Sequence, residues 1–175
     1  MIEERIKKQI RDVQDFPKKG IVFKDITPLL EDSNMTSEIT MAFVNKLKGQ
    51  KIDAIVGIES RGFFWGLLIA QALEVPFIPV RKKGKLPYKT ISHAYELEYG
   101  TAEIEMHEDA IKENMNVIIH DDLLATGGTA AAAAELVIRQ KAVVSGFSFL
   151  VILSFLNGEQ KLKNYSSNVE GIVSY

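Results

Sequence analysis

The stretch Val117-Ile118-Ile119-His120-Asp121-Asp122-Leu123-Leu124-Ala125-Thr126-Gly127-Gly128-Thr129 changes rhythm twice, and those changes decide the fold. Three consecutive β-branched residues read as a buried strand, and two glycines between threonines read as a tight turn. The alanine-rich run that follows, residues 129–140, reads as a helix. A buried strand feeding straight into a helix is half of a βαβ unit.

Outward from that point the same alternation repeats. Residues 52–58, 76–80 and 143–153 are near-continuous apolar runs of strand length, and residues 62–73 form a helix between the first two. Strands of this kind separated by helices predict an α/β domain whose central sheet is mostly parallel and covered on both faces. Upstream, Ile2, Ile6, Ile10 and Val13 recur at helical spacing, with Glu3 and Glu4 in the first turn. Phe16-Pro17-Lys18-Lys19-Gly20 breaks that helix, and residues 21–30 form an irregular apolar segment. Asp32 or Ser33 then caps a second helix running to about residue 48. No repeat, linker or low-complexity tract divides the chain, so residues 1–175 read as one domain with extra pieces at the N-terminus and in a long connection between residues 81 and 102.

Composition excludes several kinds of chemistry. A net charge of −2 gives no electrostatic reason to expect nucleic acid. With no cysteine, disulfides, thiolate catalysis and thiolate-bound metals are ruled out. His93, His107 and His120 do not fall at a metal-ligand spacing. The start lacks the apolar stretch of a secretory signal, and residues 147–156 fall short of the roughly 20 needed to span a bilayer. The expected location is the cytoplasm, with no membrane partner.

Ligands of open α/β sheets bind beyond the carboxyl ends of the strands. Three loops leave strands there: residues 59–62, residues 81 onward, and residues 121–129. In the last, Gly127 and Gly128 let backbone amides approach an anion, and the helix N-terminus adds its dipole and unpaired N–H groups. Thr126 and Thr129 add hydroxyls. A phosphate monoester fits that cradle, but Asp121 and Asp122 alongside would repel a second phosphate. They suit the vicinal hydroxyls of a sugar, so a ribose 5-phosphate satisfies both halves. Thr-Gly-Gly-Thr alone would be an ordinary strand-to-helix turn; the paired acids carry the functional reading.

The run from Ile119 to Thr129 resembles the signature of the type I phosphoribosyltransferases, in the form of the branch that acts on adenine. The resemblance continues in Phe16-Pro17-x-x-Gly20-Ile21-x-Phe23-Lys24-Asp25-Ile26-Thr27-Pro28-Leu29-Leu30, Glu59-Ser60-Arg61-Gly62-Phe63, Arg81-Lys82-x-Gly84-Lys85-Leu86-Pro87 and Tyr95-x-Leu97-Glu98-Tyr99-Gly100. It implies the type I phosphoribosyltransferase fold, with an N-terminal hood within residues 1–35 and a flexible catalytic loop over residues 82–102. It also implies transfer of a phosphoribosyl group from 5-phosphoribosyl 1-pyrophosphate (PRPP) to adenine, giving AMP and pyrophosphate. Magnesium would be held through PRPP and water rather than by protein side chains, and the chain would form a homodimer.

The resemblance also assigns residues. Ala125, Thr126, Gly127, Gly128 and Thr129 would hold the 5-phosphate, and Asp121 and Asp122 the ribose hydroxyls. Glu59, Ser60 and Arg61 would form a pyrophosphate loop, joined by Arg81 and Lys85 from a run in which five of nine residues, 81–89, are cationic. In relatives that act on 6-oxopurines, an Asp at the position of Ala125 handles the base's proton. Ala125 cannot, so Glu98 is the expected acid/base, with Tyr99 packing or hydrogen bonding beside it. Val22 and Lys24 would read adenine through their main chain while Phe23 stacks on it.

Two positions depart from the family pattern. His120 stands where Val or Ile is usual; it would sit near the ribose, titrate near neutrality, or be a hydrogen-bonded interior residue. Ile152 stands where a Glu is common. The alternatives are transfer to another base such as xanthine, and a PRPP-sensing regulator that keeps the fold without the reaction. The second would need a nucleic-acid-reading element and a basic face.

Overall fold

The computed structural model describes residues 1–96 and 100–175. In chain order the elements are α1 (Ile2–Gln9), β1 (Arg11–Gln14), β2 (Val22–Asp25), α2 (Thr27–Leu30), α3 (Ser33–Leu47), β3 (Ala54–Ile58), α4 (Gly62–Ala72), β4 (Phe77–Lys82), β5 (Thr90–Glu96), β6 (Thr101–His107), β7 (Asn116–Leu124), α5 (Gly128–Arg139), β8 (Val143–Ile152), α6 (Gly158–Leu162) and β9 (Val169–Ser174). The main sheet has the order β5-β6-β4-β3-β7-β8-β9. Strands β4, β3, β7, β8 and β9 run parallel, while β6 and β5 are antiparallel additions at one edge.

Side chains that alternate along a buried strand must fill two cores. Val117 and Ile119 pack with Ala54, Val56 and the α5 alanines on one face. Ile118 and Ile55 pack on the other with Ile39, Phe43, Trp65 and Ile69 of α3 and α4. Helix α1 joins this second core through the buried Ile6. Asp32 caps α3, its carboxylate accepting from the amides of Asn34 and Met35. On the opposite face, all five residues of the run Ala130, Ala131, Ala132, Ala133 and Ala134 are buried.

Three features differ from the sequence expectation. Residues 81–102 are not a bare connection: β5 and β6 pair from Thr90↔His107 to Glu96↔Thr101 and extend the sheet through Lys82↔Ile104. The irregular apolar segment contributes β2, which pairs with β1 as a separate two-stranded ribbon. Strand β7 does not end before the acids. Its neighbour β8 runs ten residues and keeps pairing through Asp121↔Phe149 to Leu124↔Ile152, so Asp121 and Asp122 are strand residues. Among the described residues, no helix is long and apolar enough to cross a membrane.

Candidate functional site

The carboxyl ends of β3, β4 and β7 converge on a cavity of about 190 Å3 lined by Glu59, Ser60, Arg61, Lys82, Tyr95, Asp121, Asp122 and Thr129, among others. Gly62, the first residue of α4, makes the close approach possible. A Cβ there would lie 2.8 Å from the His120 carbonyl oxygen and 2.9 Å from Oδ1 of Asp121. The helix start is thereby laid against the acids.

The two acids are held in different ways. Oδ1 of Asp121 accepts from the Asp122 amide at 2.8 Å. Oδ2 of Asp122 forms an ion pair with Nε of Arg61 at 2.9 Å. Burial, then the neighbouring Asp122 charge, push the Asp121 carboxyl well above its ordinary range. Burial also raises Asp122, with the Arg61 charge opposing it. The pair therefore binds a proton more readily than free carboxylates do. Donors such as sugar hydroxyls, or a cation, would offset the same cost.

Glu59 organises the next strand end. Its Oε2 accepts from the Lys82 amide at 2.9 Å and from Nε of Arg81 at 3.2 Å. Burial alone would raise Glu59, but those partners outweigh it and hold it below the ordinary value. Nη1 of Arg81 donates to the Lys85 carbonyl at 3.1 Å. The buried Glu105 accepts from the amides of Lys85 and Leu86, each at 2.9 Å, and from the Thr90 hydroxyl. Glu105 thus pins the cationic turn from beneath. Lys82, rather than Lys85, lines the cavity.

The turn after β7 has the form an anion cradle needs. Gly127 adopts φ +79°, and a Cβ on it would lie 2.8 Å from the Gly158 carbonyl oxygen. Only glycine meets both demands. Ala125, Thr126, Gly128 and Thr129 line a second cavity of about 1270 Å3, together with Ile21, Val22 and Lys24 of the ribbon and Leu153, Phe155, Leu156 and Tyr175 of the C-terminal segment. Thr129 faces both cavities.

Phe23 is not in either lining. Its ring is met edge-on by Phe16 at 5.1 Å and lies under the Arg61 guanidinium at 4.9 Å. The Lys24 ammonium pairs with Asp12 at 2.7 Å and sits 4.0 Å over the Tyr175 ring. His120 is an interior residue: fully buried, sharing a 2.9 Å hydrogen bond with Ser148 Oγ and packed edge-on to Phe43. Burial pushes it down to about 3, so it does not titrate near neutrality. Ile152 is buried against Gly171, which has no room for a side chain beside it. Glu98 and Tyr99 lie outside the described residues.

The structure thus brings together the 59–61 loop, Lys82, both acids and the turn in one place, with the ribbon across the larger cavity. Tyr95, Lys82, Phe155, Leu156 and Tyr175 were not assigned site roles from sequence. Tyr95 belongs to the motif over residues 95–100 and is legible from it; the C-terminal residues reach the site only through the fold.

The sequence profile described as a phosphoribosyl transferase domain matches residues 27–171. The chain is 57% identical over 161 residues to the adenine phosphoribosyltransferase of Flavobacterium johnsoniae, covering 92% of this chain and 95% of that one. It superposes on the crystal structure of adenine phosphoribosyltransferase from Thermoanaerobacter pseudethanolicus with a TM-score of 0.96 and 46% identity, over the full length of both. The enzyme from Saccharomyces cerevisiae, solved with an imino-altritol bisphosphate and adenine, matches with a TM-score of 0.92 and 40% identity, over 98% of each chain.

Proposed function

Because the chain belongs to the phosphoribosyltransferase family, and its relatives there are adenine phosphoribosyltransferases, we propose that each assigned residue serves one reaction, adenine plus PRPP giving AMP plus pyrophosphate. The observation that carries the reading is the continuity of the larger cavity. It joins the ribbon segment Ile21, Val22 and Lys24 to the turn Ala125, Thr126, Gly128 and Thr129, with the paired acids beside it. A purine at one end and a 5-phosphate at the other, with a ribose between, is the shape that space takes.

N9 of adenine bonds to C1 of the ribose as the C1–oxygen bond to pyrophosphate breaks. The turn holds the 5-phosphate through its amides and hydroxyls, and Asp121 and Asp122 accept from the ribose hydroxyls. Arg61, Arg81 and Lys85 neutralise the departing pyrophosphate; Arg61, Lys82 and Ser60 line the cavity wall, and Arg81 and Lys85 stand outside its lining. Glu98 takes the proton that N9 loses, with Tyr99 beside it. Val22 and Lys24 read the edge of adenine with main-chain groups, and Phe23, which lines neither cavity here, would offer the ring face that Arg61 does not cover.

Magnesium would arrive on the pyrophosphate and be held through PRPP and its own waters rather than by protein side chains. When bound, the ion would spread the charge of the leaving group. Closing of the β5–β6 pair over the site would keep water from hydrolysing PRPP. A homodimer is supported by the exposed Met41, Phe64 and Leu67 on α3 and α4, and the cytoplasm is the compartment where such a salvage reaction belongs.

The test is AMP formation from PRPP and magnesium with adenine, hypoxanthine, guanine and xanthine supplied separately. Turnover with adenine alone is expected. Tight PRPP binding without turnover on any base would overturn the enzymatic reading in favour of a sensor.

A further inference from the structure

Tyr95 has no part in the reaction described above, yet its hydroxyl lies 3.0 Å from Oγ1 of Thr129 in the phosphate turn. Its ring flanks Gly128, where an added Cβ would sit 3.7 Å from Cδ2 of Tyr95. The same side chain lines the cavity of Arg61, Asp121 and Asp122. Further along, β5 is held to α5 by Arg139, whose Nη1 donates to the Ser92 carbonyl at 2.7 Å and whose Nη2 lies 3.0 Å from Nδ1 of His93. One strand thus touches α5 near its C-terminal end through Ser92 and His93, and at its first turn through Tyr95.

We propose that Tyr95 is a positioning residue for the 5-phosphate, orienting the Thr129 hydroxyl toward the anion; this rests on the turn being the phosphate site. A phosphate offers acceptors and a threonine hydroxyl carries one hydrogen. With an anion in the turn, Thr129 must donate to it, so the bond to Tyr95 has one allowed direction: the phenol donates to Oγ1. Donors in series polarise one another, and the bond to a charged oxygen gains most. Tyr95 also stands just before Leu97, Glu98 and Tyr99 in the chain. The phosphate turn is thereby tied to the strand that leads into the expected acid/base.

The experiment compares wild type, Tyr95→Phe, Thr129→Val and the double variant by calorimetric titration with ribose 5-phosphate and by steady-state kinetics on the full chain. Loss of one oriented hydrogen bond should weaken ribose 5-phosphate binding about fivefold to tenfold in Tyr95→Phe. The KM for PRPP should rise in step while the KM for adenine stays unchanged. In the Thr129→Val background the Tyr95→Phe change should add nothing, which general damage to packing would not reproduce. Tyr95→Phe binding ribose 5-phosphate as wild type does, or weakening it equally without the Thr129 hydroxyl, would overturn the proposal. Wild type failing to bind ribose 5-phosphate would instead sink the phosphate reading itself.

Discussion

Arg61 and Asp122 form an ion pair at 2.9 Å, and the same guanidinium covers the ring of Phe23 at 4.9 Å. One side chain therefore spans from the ribbon to the acids. Asp122 is the more buried partner, at 5% side-chain exposure against 37% for Arg61. Arg61→Ala would leave a buried carboxylate without its cation, costing roughly 1–3 kcal/mol once the solvent exposure of Arg61 is discounted. The sign with pH follows from the raised Asp122. A group whose folded value lies above its unfolded value destabilises the fold above the folded value and is relieved below it. Denaturant titrations of Arg61→Ala should show a deficit near neutrality that shrinks as pH falls. A deficit constant with pH would mean that Arg61 acts through packing alone.

Glu98→Ala should lower turnover by about 100-fold or more, the usual worth of a positioned acid/base. PRPP affinity, measured by equilibrium binding, should stay near wild type. Unchanged turnover would remove Glu98 from the chemistry.

Gly127→Ala should lose about 1–2 kcal/mol to the left-handed backbone alone, with a further cost because its Cβ would approach the Gly158 carbonyl at 2.8 Å. Thermal unfolding should show the loss, and the KM for PRPP should rise more than that for adenine. A variant that loses stability but keeps its PRPP KM would separate the turn's shape from its binding.

His120 should make the fold sensitive to acid. Its folded value is pushed down to about 3 by burial, against 6.5 for the free side chain. Stability from keeping it neutral is present above about 6.5 and is lost as pH falls toward 3. His120→Ile combined with Ser148→Ala removes both partners of the buried hydrogen bond. Its stability should therefore decline less steeply over that window than wild type's. Parallel stability curves would show that other groups control acid unfolding.

Much of this architecture could be read where one local signal sufficed. Asp32 announces α3, the apolar runs announce β3 and β8, and two glycines between threonines announce the turn into α5. The ribbon and the β5–β6 pair were harder. Strand β1 is exposed at three of its four residues, so it has no apolar alternation to display. Strand β5 is an edge strand, only half-buried where it is covered, and its polar residues imitate a loop. Tyr95 and Thr129 are 34 residues apart, and Lys24 meets Tyr175 from the other end of the chain. Pairings of that span depend on the strand order.

The alanines of α5 have a consequence beyond packing. A helix that buries five residues in succession has no free side over that stretch, since successive side chains point around the whole axis. The sheet, the β5–β6 pair and α6 enclose it. How deeply the helix seats, and so how far its first turn stands from the strand ends, is then a matter of methyl-sized volumes. The placement of the turn that opens the helix is thereby set by the girth of its alanine stretch, which takes no part in lining either cavity.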